Sequence, residues 1–143
     1  DNTAWDRAAD LLRDSDFYEK RGVPEPDLRL GLDLVGLATV CDVVPLIGLN
    51  RAFVRQGLAR LGHRPGLKAL AEIAKAQAPF TPYHLGFVFG PRINAGGRVG
   101  KSDMGARLLS TDDASLAADL ARQLDILNTE RRTIERLGLA KKS

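Results

Sequence analysis

Apolar residues recur three and four positions apart along most of the chain, while strict alternation of apolar and polar residues is scarce. A spacing near 3.6 gives a helix one buried face, and a spacing of two does the same for a strand. The pattern therefore predicts a mostly α protein with few or no strands. A first helix is expected over residues 4–14, ending before Arg21-Gly22-Val23-Pro24-Glu25-Pro26, whose prolines and glycine break regular structure. A second, over residues 28–43, carries Leu32, Leu34, Val35, Leu37, Ala38, Val40, Cys41 and Val43, apolar on nearly every side, and is expected to be buried.

Local punctuation sets the remaining elements. Asn50 can cap a third helix that runs to Leu61 and places Arg51 and Arg55 one turn apart. Pro65 suits the first position of a fourth, with Leu67, Leu70, Ala71 and Ile73 or Ala74 inward. Thr81-Pro82 opens a fifth by the same logic. Gly90-Pro91 should bend it, because proline removes a donor and presses on the carbonyl of Phe87. Asn94 to Gly97 should end it in the left-handed conformation those residues tolerate. A short helix is expected over residues 103–109. After Thr111 or Asp112 as cap comes a long last helix with Leu116, Leu120, Leu124, Leu127 and Ile134 on one stripe.

Charge changes the picture by its distribution. Residues 1–49 carry ten acids and five bases, residues 50–77 six bases and one acid, and residues 85–101 three bases and no acid. Local potential attracts a polyanion, so the middle of the chain is where a phosphate backbone is expected. No apolar run reaches the roughly 18 residues that span a bilayer, and the first residues do not resemble a signal peptide. A single cysteine, Cys41, excludes an internal disulfide and a thiolate zinc cluster. These features lead to the expectation of a soluble, cytoplasmic protein.

Three places can carry chemistry. Asp42 comes after a stretch that is apolar from Leu34 onward, so its carboxylate is expected to be buried and therefore hydrogen-bonded, paired or bound to a cation. A structural carboxylate and a metal ligand or general base both fit. Asp33, one turn before that stretch, reads as a surface charge. In Gly90-Pro91-Arg92-Ile93-Asn94-Ala95-Gly96-Gly97-Arg98-Val99-Gly100-Lys101, three cations flank two adjacent glycines, where bare backbone amides and arginine forks can converge on a phosphate. The spacing matches neither a nucleoside-triphosphate phosphate loop nor a dinucleotide fingerprint, and a glycine helix stop with solvated arginines is the alternative. The basic run Arg51, Arg55, Arg60, His63, Arg64 and Lys68 has no acid among residues 43–71; it is either a solvated face or a nucleic-acid contact. His63 and His84 have no ligand-spaced neighbours, and Tyr83, Phe87 and Phe89 read as core rather than as a base-stacking platform.

Longer motifs go further than the chemistry of single residues. Leu32-Asp33-Leu34-Val35-Gly36-Leu37-Ala38-Thr39-Val40-Cys41-Asp42-Val43-Val44-Pro45-Leu46, with Asn50-Arg51 and Gln56-Gly57-Leu58 beyond it, resembles the fourth motif of RecJ exonucleases in the DHH phosphoesterase superfamily. Gly86 to Arg98 resembles that family's Gly-Pro-Arg-x-Asn-Ala-Ala/Gly-Gly-Arg signature. Leu109 to Asp113 and Leu124 to Glu135 resemble the family's sequence on the C-terminal side of that signature.

The resemblance covers about residues 17–137 and implies a metal-dependent, single-stranded-DNA-specific 5′–3′ exonuclease of DNA repair and recombination. It implies that Asp42 is a catalytic ligand of Mn²⁺ or Mg²⁺ and that Arg92, Asn94, Gly96, Gly97, Arg98 and Lys101 face phosphate, with Arg51 and Arg55 as a second basic face. Single-stranded DNA is the expected partner, with other repair proteins possible. The family's Asp-His-Asp, Asp-His-His and Gly-Gly-His motifs are absent from these 143 residues. The expectation is thus an internal helical fragment of an α/β enzyme, inactive alone. Residues 1–48 would be the end of the DHH domain, 49–110 a helical layer, and 111–143 the start of the long interdomain helix. The second helix would pack on a sheet the chain lacks, leaving an apolar face open. Alternatives are another DHH phosphoesterase, acting on oligonucleotides, cyclic dinucleotides or polyphosphate, and a non-enzymatic helical nucleic-acid-binding module.

Overall fold

The computed structural model describes residues 16–99, 101 and 103–140, and among them there is no strand. The helix expected over residues 4–14 lies outside the described residues. Helix α1 is one turn, Phe17–Lys20. A 3₁₀ turn, Leu28–Gly31, opened by the Asp27 carboxylate accepting from the Arg29 amide, leads into α2, Leu32–Cys41. Helix α3 is Gly48–Arg60 and α4 is Pro65–Ile73. A π-helical segment, His84–Phe89, continues into α5, Gly90–Ile93. After a 3₁₀ turn at Gly96–Val99 come α6, Asp103–Ser110, and the long α7, Ala114–Ala140.

Two packed groups share the core. Helices α2 and α3 lie against each other, and α4, α5 and α6 lie against α7; the π segment joins the groups by packing on α2 and α4. The first group depends on missing side chains. A Cβ on Gly57 would run into the Leu32 carbonyl, and one on Gly36 would stand 3.3 Å from the Gly57 Cα. The helices therefore cross with backbone nearly touching backbone. The second group is an ordinary apolar stripe. Leu67 and Leu70 of α4, Leu108 of α6, and Ala117, Leu120, Ala121 and Leu124 of α7 are buried together with Leu85 and Phe89. Fully burying a leucine is worth about 1.5–3 kcal/mol, so this stripe is the main apolar source of stability.

Several expectations change at the caps and faces. Asn50 does not cap α3: the N-cap is Ile47, and the Asn50 amide instead donates to the Pro45 carbonyl at 3.1 Å, inside the loop. Asp113, not Thr111 or Asp112, caps α7, accepting from the amides of Ser115 and Leu116; Thr111 accepts from the Asp113 amide one step earlier. Pro91 does not break its helix. The preceding turn widens to a π helix, which is how a chain makes room for a ring that would strike a carbonyl one turn back. Asn94 keeps a right-handed conformation and Gly96–Val99 forms a 3₁₀ turn, so the left-handed stop does not occur. Gly96 is needed for space instead: a Cβ there would lie 2.7 Å from the Lys101 carbonyl oxygen.

Helix α2 is less buried than its composition suggests. Asp33, Gly36 and Leu37 are its buried residues, while Val35 and, just beyond the helix, Val43 are exposed. Tyr83 and Phe87 are 62% and 72% exposed, correcting the core reading for both, whereas Phe89 is buried. On α7 the stripe fails at its far end, where Ile134 and Leu137 are exposed.

Candidate metal and phosphate site

Helix α2 ends in two linked turns that present Asp42. The Val43 amide donates to Val40 and the Val44 amide to Thr39, the pairing that closes a helix through a left-handed residue. Glycine usually fills that position, but here it is Val43 with φ +56°. A β-branched residue in this region costs about 1–2 kcal/mol, and such strain concentrates at functional sites. Asp42 is the residue just before it, exposed, with its carboxylate making no hydrogen bond or ion pair among the described residues. The expected burial of Asp42 is thus corrected: the helix stops short of covering it, and water or an ion has open access.

The buried carboxylate is Asp33. It is 3% exposed and accepts from Arg64 Nε at 2.6 Å and Nη2 at 3.0 Å, and from the Leu34 amide. Arg64 Nη1 also donates to the Leu109 carbonyl, so one guanidinium ties the start of α2 to the end of α6. Hydrogen bonding to Asp33 raises the Arg64 pKa further above its usual value. Asp33 is therefore a structural strut, not a surface charge.

Cys41 lies between Asp42 and the helix that carries the Gly-Pro-Arg signature. Its thiol is directed to the Leu85 carbonyl at 3.7 Å, and a Cβ on Gly90 would stand 2.6 Å from its sulfur. Burial, and secondarily the Asp42 charge, push its pKa up. A protonated thiol is a poor nucleophile and a poor metal ligand. What it does is hold Gly90 close, which fixes the signature loop beside the end of α2.

A hollow of about 220 Å³ opens at this junction, lined by Cys41, Gly86, Gly90, Pro91, Asn94 and Arg131. Asn94, expected to meet phosphate, is on this wall. Arg131 is absent from the residues that the sequence marks as a site: it reaches the hollow from α7, more than thirty positions along the chain, and only the fold connects them. Arg131 is held by Glu135 at 2.6 Å and by the Asn128 side-chain oxygen at 3.3 Å, with Asn128 itself buried. An arginine braced in this way presents a fixed fork.

Arg92 is placed differently. Its Nε donates to Asp125 at 2.8 Å and its Nη1 to the Val88 carbonyl at 2.8 Å, and its side chain is 16% exposed. Two of its five N–H donors are thus engaged, one of them joining α5 to α7. The Val88 bond falls where the π segment gives way to α5 and so takes up a carbonyl near the irregular winding. Gly97 has open space where a side chain would be, Lys101 is exposed, and Arg98 sits in the Gly96–Val99 turn. Arg51 and Arg55 are exposed on α3, beside a separate groove.

No protein-family model matches the sequence. The single-stranded-DNA-specific exonuclease RecJ of Dickeya dadantii is 44% identical over 128 residues, covering 87% of this chain and 22% of that protein. The Escherichia coli RecJ is 43% identical over 129 residues, with the same shares. The crystal structure of RecJ in complex with Mn²⁺ from Thermus thermophilus matches with a TM-score of 0.75 at 40% identity, over 87% of this chain and 19% of that one. By sequence and by fold, this chain matches a segment of RecJ. It spans about a fifth of the length of the curated RecJ proteins it matches. RecJ from Thermus thermophilus has also been solved with Mg²⁺.

Proposed function

We propose that this chain is the helical part of a RecJ-type exonuclease, in which Asp42 is one ligand of a divalent metal and the Asn94–Lys101 loop faces the phosphates of single-stranded DNA. The observation that carries this reading is the Asp42 carboxylate: open, unpaired among the described residues, and set at a strained helix end one residue after Cys41, which lines the hollow that Asn94 and Arg131 share. Its oxygens are hard donors suited to Mn²⁺ or Mg²⁺. Among the described residues no three His, Cys, Asp or Glu side chains converge, so Asp42 fits as one member of a set completed by residues outside the segment. A divalent ion there lowers the pKa of bound water and offsets charge on a phosphodiester.

The chain's own residues would hold the substrate. The Asn94 amide and the Arg131 guanidinium line the hollow and can donate to phosphate oxygens. Arg98 and Lys101 would add positive charge, and the open Gly97 lets a phosphate approach the backbone. Arg92, paired with Asp125, would chiefly keep this loop on α7 and offer phosphate its remaining N–H donors. In this reading residues 1–48 close an α/β DHH domain, 49–110 form a helical layer, and 111–143 begin a helix leading to a further domain, in a cytoplasmic repair enzyme. No helix among the described residues is long and apolar enough to cross a membrane.

The test is cleavage by the full-length protein. Asp42→Ala, with unchanged circular dichroism, is expected to lose Mn²⁺-dependent cleavage of 5′-phosphorylated single strands by at least about a thousandfold, the scale of losing a metal-supplied share of several kcal/mol. Near-normal cleavage by that variant would refute the role.

A further inference from the structure

A second feature lies away from the Asp42 hollow. Helix α3 and the loop before the π segment enclose a groove of about 690 Å³, with Leu46, Val54 and Phe80 among its walls and Arg51 and Arg55 on one side. Arg51 and Arg55 are exposed, and one helical turn separates them, about 5–6 Å between Cβ atoms. Among the described residues no acid lines the groove. From Phe80 an unbroken series of rings leaves it: Phe80 meets His84 edge-on at 5.6 Å, His84 meets Tyr83 at 5.9 Å, and Tyr83 stacks on Phe87 at 5.2 Å with ring planes 23° apart.

Two large aromatic rings stacked on each other and still mostly exposed are unusual for a helix with apolar residues to spare, since folding has not used them. At 62% and 72% exposure, they leave ring surface open to solvent. Arginines in the groove and a series of rings that leaves it at Phe80 are the two components of a single-strand track, in which cations follow the backbone and rings take the bases. We infer that this groove is a second contact for single-stranded DNA, with Arg51 and Arg55 on successive phosphates and a base stacked on the Tyr83–Phe87 pair. The occupant is set by charge: two guanidinium groups at the rim of an apolar groove that no described acid lines suit a polyanion with flat apolar bases. The inference rests on the DNA-processing reading above and assigns that substrate a path beyond the metal.

The experiment measures binding of two strands by the full-length protein with the metal omitted: oligothymidylate, and an abasic strand of equal length. Tyr83→Leu keeps apolar bulk and removes the ring; it is expected to weaken binding of oligothymidylate by about tenfold and leave the abasic strand unchanged. Tyr83→Trp is expected to restore it. Arg51→Gln with Arg55→Gln should weaken both strands and reduce the slope of log affinity against log salt by about 1.4, the share of two phosphate contacts on a single strand. Equal binding of oligothymidylate by wild type and Tyr83→Leu, or a lowered Tm with binding intact, would overturn the inference; the latter would show that the rings pack against another part of the longer protein. A wild-type protein that neither binds nor cleaves single strands would overturn the DNA-processing reading itself, whereas one that does both regardless of Tyr83 overturns this site alone.

Discussion

Asp33 and Asp42 stand nine positions apart, at the two ends of one helix, and do opposite things. The sequence suggests the reverse assignment, because Asp42 adjoins the more apolar stretch. The difference lies in what the chain brings to each. Arg64, distant in sequence, meets Asp33 in the interior, while the left-handed Val43 ends the helix before anything covers Asp42. Breaking a buried pair by removing one partner leaves a bare charge in the interior, so Arg64→Ala is expected to cost about 3–5 kcal/mol in urea denaturation. The double change Asp33→Leu with Arg64→Met should cost less than Arg64→Ala alone, and a larger cost would contradict the strut assignment. At Val43 the opposite sign applies. Its side chain is 86% exposed and loses little packing on removal, so Val43→Gly exchanges left-handed strain for glycine's greater unfolded-state freedom. The net is a stabilisation of about 0.5–1 kcal/mol, read as a raised denaturation midpoint.

At the scale of elements, much was legible. Pro65 does open α4, and Leu67, Leu70 and Ala71 do face inward, because a fixed φ and a 3.6-residue stripe are local properties. The last helix is equally plain from Leu116 to Leu127 and continues past its own core. What could not be read locally is the widening before Pro91, where the Gly90 amide donates to the Leu85 carbonyl and the Cys41 sulfur lies against Gly90, and the exposure of Tyr83 and Phe87, which share the spacing of core residues. Of the candidate site, Asn94 and Asp42 stand out by chemical type, but Arg131 joins Asn94 and Cys41 at the hollow only through the packing of α7 on α5. The α2–α3 crossing gives the clearest element-level test. Gly57→Ala places a methyl group against the Leu32 carbonyl and the Gly36 backbone, neither of which is a flexible side chain. It is expected to destabilise by about 1–3 kcal/mol, the usual range for overpacking, and a neutral result in thermal denaturation would mean that the helices can separate.

At the scale of the molecule, the exposed apolar residues and the lone Asp42 carboxylate have one explanation under the proposed function. Val35, Val43, Ile47 and Leu49 lie open, and Asp42 alone would not satisfy a divalent ion, which takes several ligands. Both features fit a chain that spans about a fifth of the length of the RecJ proteins it matches; in the proposed reading the covering surface and the other ligands come from the rest of a longer protein. The Arg92–Asp125 pair joins α5 to α7 and keeps the loop that follows α5 in place. The most direct measurement is anomalous diffraction from a crystal of the full-length protein soaked in Mn²⁺. A manganese peak within about 2.0–2.3 Å of an Asp42 carboxylate oxygen is the predicted result, the range of a direct hard-cation bond. A manganese site well formed elsewhere, with Asp42 beyond contact of any ion, would contradict it.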